Sequence, residues 1–334
     1  QRVRELLEEY AALSGGKLRL IVENPEPYSE AEEQAARYGL QPIPVGSSGN
    51  YAYFGLAGSN AVDDIRRIPF FQSEQEDALE YNVSKLVYSL ANPDRPVVGL
   101  IAELPIAAGS RAKHGLLGEQ ERDWFVLTQL KQSFDIRELD IDVENIPQEV
   151  DVLMIVHPKN LSEKTLFAID QFVLAGGRAL VFIDAFSEAD TSMPEVTSPD
   201  QGYVEAVRHS DLPDLMAAWG IGLAPESVAI DRRLATTVGV SGGSPVDYVV
   251  WMTLRDDNFN GEDFVTADLQ SLLVASAGHL LKRPDATTVF TPLLETTDQA
   301  MSLEVGYVKY GTKPTELLQN YHPGGTPLVL SLIH

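Results

Sequence analysis

The sequence predicts a two-domain α/β fold with parallel strands, and three observations support this prediction. Continuous apolar runs at Val97–Ala102, Asp151–Val156 and Arg178–Ile183 are typical of strands that helices cover on both faces. Amphipathic helical patterns separate these runs, and a strand–helix–strand order predicts right-handed parallel crossovers. Finally, a chain of 334 residues exceeds one average domain of roughly 150 residues, so two domains are expected.

The first predicted domain spans residues 1–92 and mixes helices with short strands. Apolar residues at helical spacing open the chain, and a strand is predicted at Lys17–Val22. Ser29 and Glu32 match a capping box, in which the serine hydroxyl and the glutamate carboxylate each accept a backbone N–H at a helix start. An amphipathic helix is predicted over Gln75–Ala91, at the end of this domain.

The second predicted domain spans residues 95–334 and contains the three buried strands. Helices are predicted near residues 124–134 and after Ser162, whose hydroxyl is expected to cap the second of them. The polar stretch at 186–212 is expected to be an inserted loop or lid. The rest of the domain is predicted to be a β-rich extension, with one strand at Val246–Met252.

The charge balance argues against nucleic acid as a partner. The chain has 25 lysines and arginines against 49 aspartates and glutamates, a formal net charge of −24. Such a surface repels phosphate, and the clustered basic residues that nucleic-acid binding requires do not occur in the sequence. The sequence has no cysteines, which excludes disulfides, thiol nucleophiles and thiolate metal sites.

Polar residues follow each of the three apolar runs. Glu103 follows the first, His157, Lys159 and Asn160 follow the second, and Asp184 follows the third. Because ligands of open α/β sheets bind outside the carboxyl ends of the strands, we predict a ligand-binding crevice there. Two carboxylates and an imidazole could hold a cation or shuttle a proton. The alternative interpretation is structural, with the aspartate capping a turn, the histidine bound to backbone and the glutamate solvated.

A second candidate site is the segment Gly239–Gly243, which matches the G-x-S-x-G pattern of serine hydrolases with Ser241 as the nucleophile. That site requires a strand before the serine and a helix after it, whereas Pro245 and a β-rich run follow here. A glycine-rich surface loop is therefore the favoured interpretation.

Other catalytic and metal-binding motifs are absent from the sequence. It contains no phosphate-binding loop, no dinucleotide-binding glycine motif and no zinc-protease motif. None of the six histidines lies three or four residues from another, which excludes a helical metal pair. We therefore predict no catalytic residue, no metal and no cofactor.

Several segments, taken in their order and spacing, resemble one family. They are Arg67–Phe71, Glu76–Val87, Pro93–Ile101, Asp151–Lys159, Gly176–Asp184 and Phe290–Thr297. On these segments the chain resembles the auxiliary component of uncharacterised ABC-type transport systems, the family of the gliding-motility protein GldG. The resemblance extends over most of the chain, from about Val3 to Leu332.

The resemblance implies an extracytoplasmic (periplasmic) domain that is held between membrane helices and works beside an ABC permease and its ATPase. It carries over no catalytic residue. By a further resemblance, residues 1–92 look like a thioredoxin-type fold without its cysteines and its first strand. Residues 95–334 look like a sheet of the flavodoxin or glutamine-amidotransferase type. Because the sequence begins within a predicted helix and ends within a predicted strand, we expect its membrane anchors to lie outside it.

The predicted function is therefore that of a non-catalytic accessory module that binds a protein or a ligand. The first alternative is a domain that binds a small molecule or a glycan in the strand-end crevice. The second alternative is a serine hydrolase that uses Ser241.

Overall fold

The structure is a computed structural model with a mixed α/β fold, as the sequence predicts. It describes residues 2–45, 50–72, 76, 78–109, 122–192, 195–198, 202–204, 206–239, 244–311, 313–319 and 321–334. The chain divides into two units, Gln1–Arg95 and Pro96–His334. No helix in the described part of the chain has the length and apolar character that crossing a membrane requires.

Within its described residues, the first unit contains three α-helices and two antiparallel strand pairs. The elements are α1 (Arg2–Leu13), α2 (Glu30–Arg37), β1 (Pro42–Val45), β2 (Asn50–Tyr53), β3 (Leu56–Ser59), β4 (Ile65–Ile68) and α3 (Leu79–Ala91). β1 pairs with β2, and β3 pairs with β4. The core of this unit joins Leu7 of α1 to Phe71, Leu79 and Val83, so the two longer helices share one apolar cluster.

The strand predicted at Lys17–Val22 is wrong, because these residues belong to no strand. Ile21 and Val22 are 63% and 55% exposed. A strand is stable only when its backbone groups pair with a neighbour. No strand of the described residues pairs with this run, so its apolar character alone does not make it one.

The helix start at Ser29 follows the predicted cap, with one change of partner. The Glu32 N–H donates to the Ser29 hydroxyl at 3.2 Å, as expected. The Glu32 carboxylate, however, accepts from the Tyr28 N–H at 2.6 Å. The side chain therefore reaches one residue further back than a standard capping box requires.

The second unit is built around one parallel sheet and several antiparallel sheets. Its first elements are β5 (Val97–Ala102), α4 (Phe125–Leu130), β6 (Asp135–Glu138), β7 (Val152–Val156), α5 (Glu163–Leu174), β8 (Arg178–Phe182), β9 (Glu195–Ser198), β10 (Gly202–Val204) and α6 (Pro213–Ala218). There follow β11 (Ile221–Leu223), β12 (Ser227–Asp231), β13 (Ala235–Val238), β14 (Val246–Arg255), a 3₁₀ turn (Asp256–Asn258), β15 (Ser271–Ala275), β16 (Leu280–Lys282), β17 (Thr291–Glu295), β18 (Ala300–Glu304), α7 (Val305–Lys309), α8 (Pro314–Leu317) and β19 (Val329–Ile333).

The predicted parallel strands are confirmed, and they form one sheet in the order β6-β5-β7-β8. One face packs against α5, where Leu153 and Ile155 of β7 meet Ile169. The other face packs against α4, where Met154 of β7 meets Leu127. The predicted cap of α5 is also present, since the Thr165 N–H donates to the Ser162 hydroxyl at 3.2 Å.

The expectation that Arg178–Ile183 is buried on both faces is wrong. β8 lies at the edge of the sheet, and Leu180 and Phe182 are 49% and 46% exposed. An apolar run indicates a strand, but the order of strands in the sheet decides which strand is central. β8 is the last strand of this order and has a neighbour on one side.

The antiparallel sheets form the predicted β-rich part of the unit. Their strand orders are β11-β16-β19-β17, β13-β14-β15 and β12-β18, and β9 pairs with β10. The stretch 186–212, expected to be a loop or lid, therefore carries one strand pair, and it begins with the buried Phe186. Phe186 packs with Val228 and Val249 in the core between β12 and β14.

Candidate functional site

Three of the four residues predicted to line a strand-end crevice meet in one hydrogen-bonded network. His157 is the first residue after β7, and its backbone N–H donates to the Phe182 carbonyl oxygen at 2.9 Å. Its side chain is fully buried. The Nδ1 atom lies 2.9 Å from the Asp184 carboxylate, and the Nε2 atom lies 3.1 Å from the Asp190 carboxylate.

Asp190 is the centre of this network, and the sequence pattern did not identify it. One carboxylate oxygen, Oδ2, contacts His157 and accepts from the Lys159 ammonium at 2.6 Å. The other oxygen accepts from the Ser192 backbone N–H at 2.9 Å and from its hydroxyl at 2.6 Å. The only local signal for this role is the serine two residues after the aspartate, which is typical of a side-chain-to-backbone turn.

Hydrogen bonds and one ion pair hold this network together. Both ring nitrogens of His157 lie within hydrogen-bond distance of carboxylates, and the direction of each bond depends on the tautomer of the ring. The Lys159 ammonium forms an ion pair with the Asp190 carboxylate. Burial alone raises the pKa of Asp190, but hydrogen bonds from Lys159, Ser192 and His157 outweigh burial and hold that pKa far below its usual range.

This arrangement makes His157 a structural residue of the site. Both of its ring nitrogens are engaged and the ring has no exposed surface, so it offers no free base and no metal ligand in this conformation. Across the described part of the chain, no group of three or more histidines, aspartates or glutamates could hold a metal ion. The network holds the loop after β7 against the loop after β8.

Glu103, the fourth predicted residue, lies after β5. Its backbone N–H donates to the Val156 carbonyl oxygen at 3.1 Å. It does not line the cavity described below. The two ring nitrogens of His157 contact the carboxylates of Asp184 and Asp190. Asp190 therefore takes the place beside the histidine that the sequence pattern assigned to Glu103.

A cavity of about 780 Å³ opens beside the network, within the second unit. Lys159 and Asn160 after β7 line one part of it, and the segment 206–214 lines another. Glu226, Glu304, Lys309 and Tyr310 also line it. This volume is in the range of small-molecule sites, which are commonly 300–1,000 Å³. Most other lining residues are apolar, and they are Pro158, Leu161, Leu166, Ala185, Phe186, Leu212, Leu223, Ala224, Pro225 and Val305.

Further hydrogen bonds join the loop after β8 to the segment 206–214, which lines the cavity. The Asp184 N–H donates to the Ser210 hydroxyl at 2.9 Å, and the Ser210 N–H donates back to the Asp184 carbonyl oxygen at 2.9 Å. The Ser187 N–H donates to the Arg208 carbonyl oxygen at 2.8 Å. These bonds position the backbone of the segment 206–214 independently of any ligand.

The cavity contains charged side chains that have no partner among the described residues. Within this part of the chain, the Arg208 guanidinium has no hydrogen bond or ion pair, and neither do the carboxylates of Glu226 and Glu304. Burial raises the pKa of Asp211, which lies on the same wall, although the Leu212 N–H and nearby His209 oppose this effect. The described residues of the cavity therefore offer a guanidinium and several carboxylates on a largely apolar wall.

The remaining sequence candidate, Ser241, lies outside the described residues. Gly239 before it is described, and the strand β14 begins three residues after Gly243. A helix does not follow the motif, in agreement with the argument against a nucleophile made from the sequence.

Comparison with known proteins identifies the family. A family model described as an ABC-type uncharacterized transport system matches residues 95–333, and a second model, a domain of unknown function (DUF7088), matches residues 1–59. A protein of Borreliella burgdorferi described as "Uncharacterized protein" is 24% identical over 235 residues, which are 68% of this chain and 42% of that protein. The chain thus spans about two fifths of the length of this curated relative.

No solved structure matches the chain, so the thioredoxin-like and flavodoxin-like assignments stay predictions. The family model, by contrast, covers the parallel sheet, the network around Asp190 and the cavity in a single match. The chain belongs to the family of auxiliary components of ABC-type uncharacterized transport systems.

Proposed function

We propose that this chain is a non-catalytic, extracytoplasmic accessory domain of a membrane-anchored transport complex, in which it works beside an ABC permease and its ATPase. The observation that carries the proposal is the family match over residues 95–333. The earlier resemblance to the GldG gliding-motility protein agrees with this role. The site supports a binding function, since its buried histidine is held in place and does not face the cavity.

Co-purification of the complete protein tests this role. The complete protein, tagged and isolated from detergent-solubilised membranes of its own host, is expected to bring down one ABC permease and one ABC ATPase, identified by mass spectrometry. A tagged unrelated membrane protein serves as the control. Recovery of the complete protein without either transporter subunit contradicts the proposal.

We further propose that the cavity binds a small molecule that carries both a carboxylate and an ammonium group, such as an amino acid or a short peptide. The guanidinium of Arg208, which has no partner among the described residues, matches the carboxylate, and Glu226 and Glu304 match the ammonium group. A charged group in an apolar-walled cavity is stabilised when a ligand supplies the missing partner. A neutral sugar would leave these three charges unpaired, so the charges favour a zwitterion over a glycan.

A thermal-shift screen with amino acids, dipeptides and neutral sugars tests the ligand. Ligand at 100 times its Kd stabilises the fold by about 2.7 kcal/mol, so the melting midpoint rises. Arg208→Ala is expected to weaken binding about 10- to 100-fold, the effect of losing a hydrogen bond to a charged group. The matched control is Arg232→Ala, which changes an exposed arginine outside the cavity. Equal midpoint shifts in both variants contradict the assignment, while the co-purification result stands separately.

A further inference from the structure

The exposed edge of the parallel sheet is the feature from which we draw a further inference. β8 pairs only with β7 among the strands of the described residues. It contains no proline, no lysine and no bulge, which are features that keep an edge strand from pairing, and its single charged residue is Arg178 at the first position. Its sequence is Arg-Ala-Leu-Val-Phe, without an acidic residue in a chain that has 49 of them.

The backbone groups that β8 leaves open can be identified from its pairing. The Phe182 carbonyl oxygen accepts from the His157 N–H, so the backbone of Phe182 faces β7. Backbone groups alternate along a strand, so those of Leu180 also face β7. The N–H and C=O groups of Ala179 and Val181 therefore point away from the sheet, toward a missing neighbour.

Apolar side chains accompany these open backbone groups on both faces of the sheet. On the α4 face, Leu180 and Phe182 are 49% and 46% exposed. On the other face, the helix α5, which packs beside β8, leaves Phe167 and Leu174 63% and 72% exposed. These two residues are seven positions apart, so they lie on one stripe of the helix.

We propose that β8 pairs with the β8 strand of a second copy of this chain, antiparallel and centred on Leu180. This is the register in which the strand is complementary to itself. It places Ala179 of each copy opposite the second copy's Val181, so every open backbone group of the strand finds a partner. It also places Arg178 beside the second copy's Phe182, a cation–aromatic contact, and opposes no like charges.

A heterologous strand is less well supported than a second copy. The outward groups of β8 are arranged symmetrically about Leu180, which is what a two-fold interface requires. The strand also lacks acidic residues, and this absence lets two strongly acidic chains approach here with the least repulsion. This pairing joins the two four-stranded parallel sheets into one continuous sheet of eight strands. The inference does not depend on the proposed transport function.

The absence of cysteines makes a cross-linking test specific. In the proposed register the two Leu180 residues form a non-hydrogen-bonded pair with Cα atoms about 4.5 Å apart, within the range that disulfides span. Leu180→Cys is therefore expected to form a covalent dimer under mild oxidation. Phe182→Cys is the matched control, because the two Phe182 residues would be about 14 Å apart at 3.4 Å per residue. The double variant Arg178→Cys/Phe182→Cys is expected to cross-link again.

Light scattering on the cysteine-free chain gives the second readout. We expect twice the mass of one chain at high protein concentration. Leu180→Lys, which sets two like charges opposite each other, and Ala179→Pro, which removes an outward N–H, are both expected to give the monomer. Circular dichroism melting checks that each variant folds. If only one of the two variants folds, its mass alone tests the proposal. A wild-type chain that stays monomeric, or Phe182→Cys cross-linking as readily as Leu180→Cys, overturns the proposal.

Discussion

Replacing Asp190 with alanine is expected to destabilise the second unit by about 3–5 kcal/mol, the cost of removing one partner from a buried ion pair. The carboxylate is 6% exposed, and it contacts both the buried imidazole of His157 and the ammonium of Lys159. Without it, Lys159 loses the carboxylate with which it forms an ion pair, and His157 Nε2 and the Ser192 hydroxyl lose a hydrogen-bond partner. Urea unfolding measures the change.

Tryptophan fluorescence reports this unfolding for the second unit alone. All three tryptophans, Trp124, Trp219 and Trp251, lie between residues 96 and 334. The control is Glu144→Ala, which breaks an ion pair with Lys164 that is exposed on both sides and is expected to leave the midpoint unchanged. A change of similar size in both variants would show that the buried network carries no special stability.

Removing the charge of Asp190 with the variant Asp190→Asn has a predictable pH dependence. Burial raises the pKa of Asp190, but hydrogen bonds from Lys159, Ser192 and His157 outweigh burial and hold this pKa below the ordinary value of 3.8. A lowered carboxyl pKa stabilises the fold above the unfolded value, and this stability is lost as pH falls through the folded value. The difference between wild type and Asp190→Asn should therefore be constant above about pH 5 and shrink below about pH 4. A difference that grows in acid contradicts this assignment.

Replacing Leu153 with alanine is expected to destabilise the second unit by about 2–5 kcal/mol, the range for deleting a buried leucine side chain. Leu153 has no exposed surface and lies on β7, which has a neighbouring strand on each side. It packs with Ile101 and Ile169, from the adjacent strand and from α5. Since the sheet and the helix hold the surrounding atoms, we expect a cavity to remain.

A matched surface substitution separates this effect from a general sensitivity to alanine. Val289 is 75% exposed and lies in a loop of the same unit, so Val289→Ala is expected to change stability by less than about 0.5 kcal/mol. Tryptophan fluorescence in urea again measures the second unit. A loss below about 1 kcal/mol for Leu153→Ala would place this residue outside a packed core.

The predicted elements of the second unit were recoverable because their signals are local. An apolar run such as Val97–Ala102 and a cap such as Ser162 each depend on a few neighbouring residues. The run at Lys17–Val22 has a similar signal and forms no strand, since a strand also needs a partner. Whether a strand is central or at the edge of a sheet also depends on its neighbours. The exposed edge at β8 could therefore not be predicted from its apolar run.

The candidate site also combines residues that the sequence indicated with residues that only the fold brought to the site. His157, Lys159 and Asp184, which the strand-end rule indicated, lie in one hydrogen-bonded network because the strands that precede them are neighbours in the sheet, and their role in ligand binding stays a prediction. The rule did not indicate Asp190 or Arg208, which come from a polar segment with no periodic pattern. Their roles depend on where the loop crosses the sheet, a matter of long-range contacts.

The sequence by itself determined the α/β class, the acidic surface that disfavours nucleic acid, and the family resemblance that the comparison confirms. These properties follow from composition, periodicity and local motifs. Only the tertiary structure decided that β8 is an edge strand, that His157 is buried between two carboxylates, and that Arg208 lines a cavity without a partner among the described residues. The physical reason is that burial and charge pairing arise between residues far apart in the chain, and the fold brings those residues together.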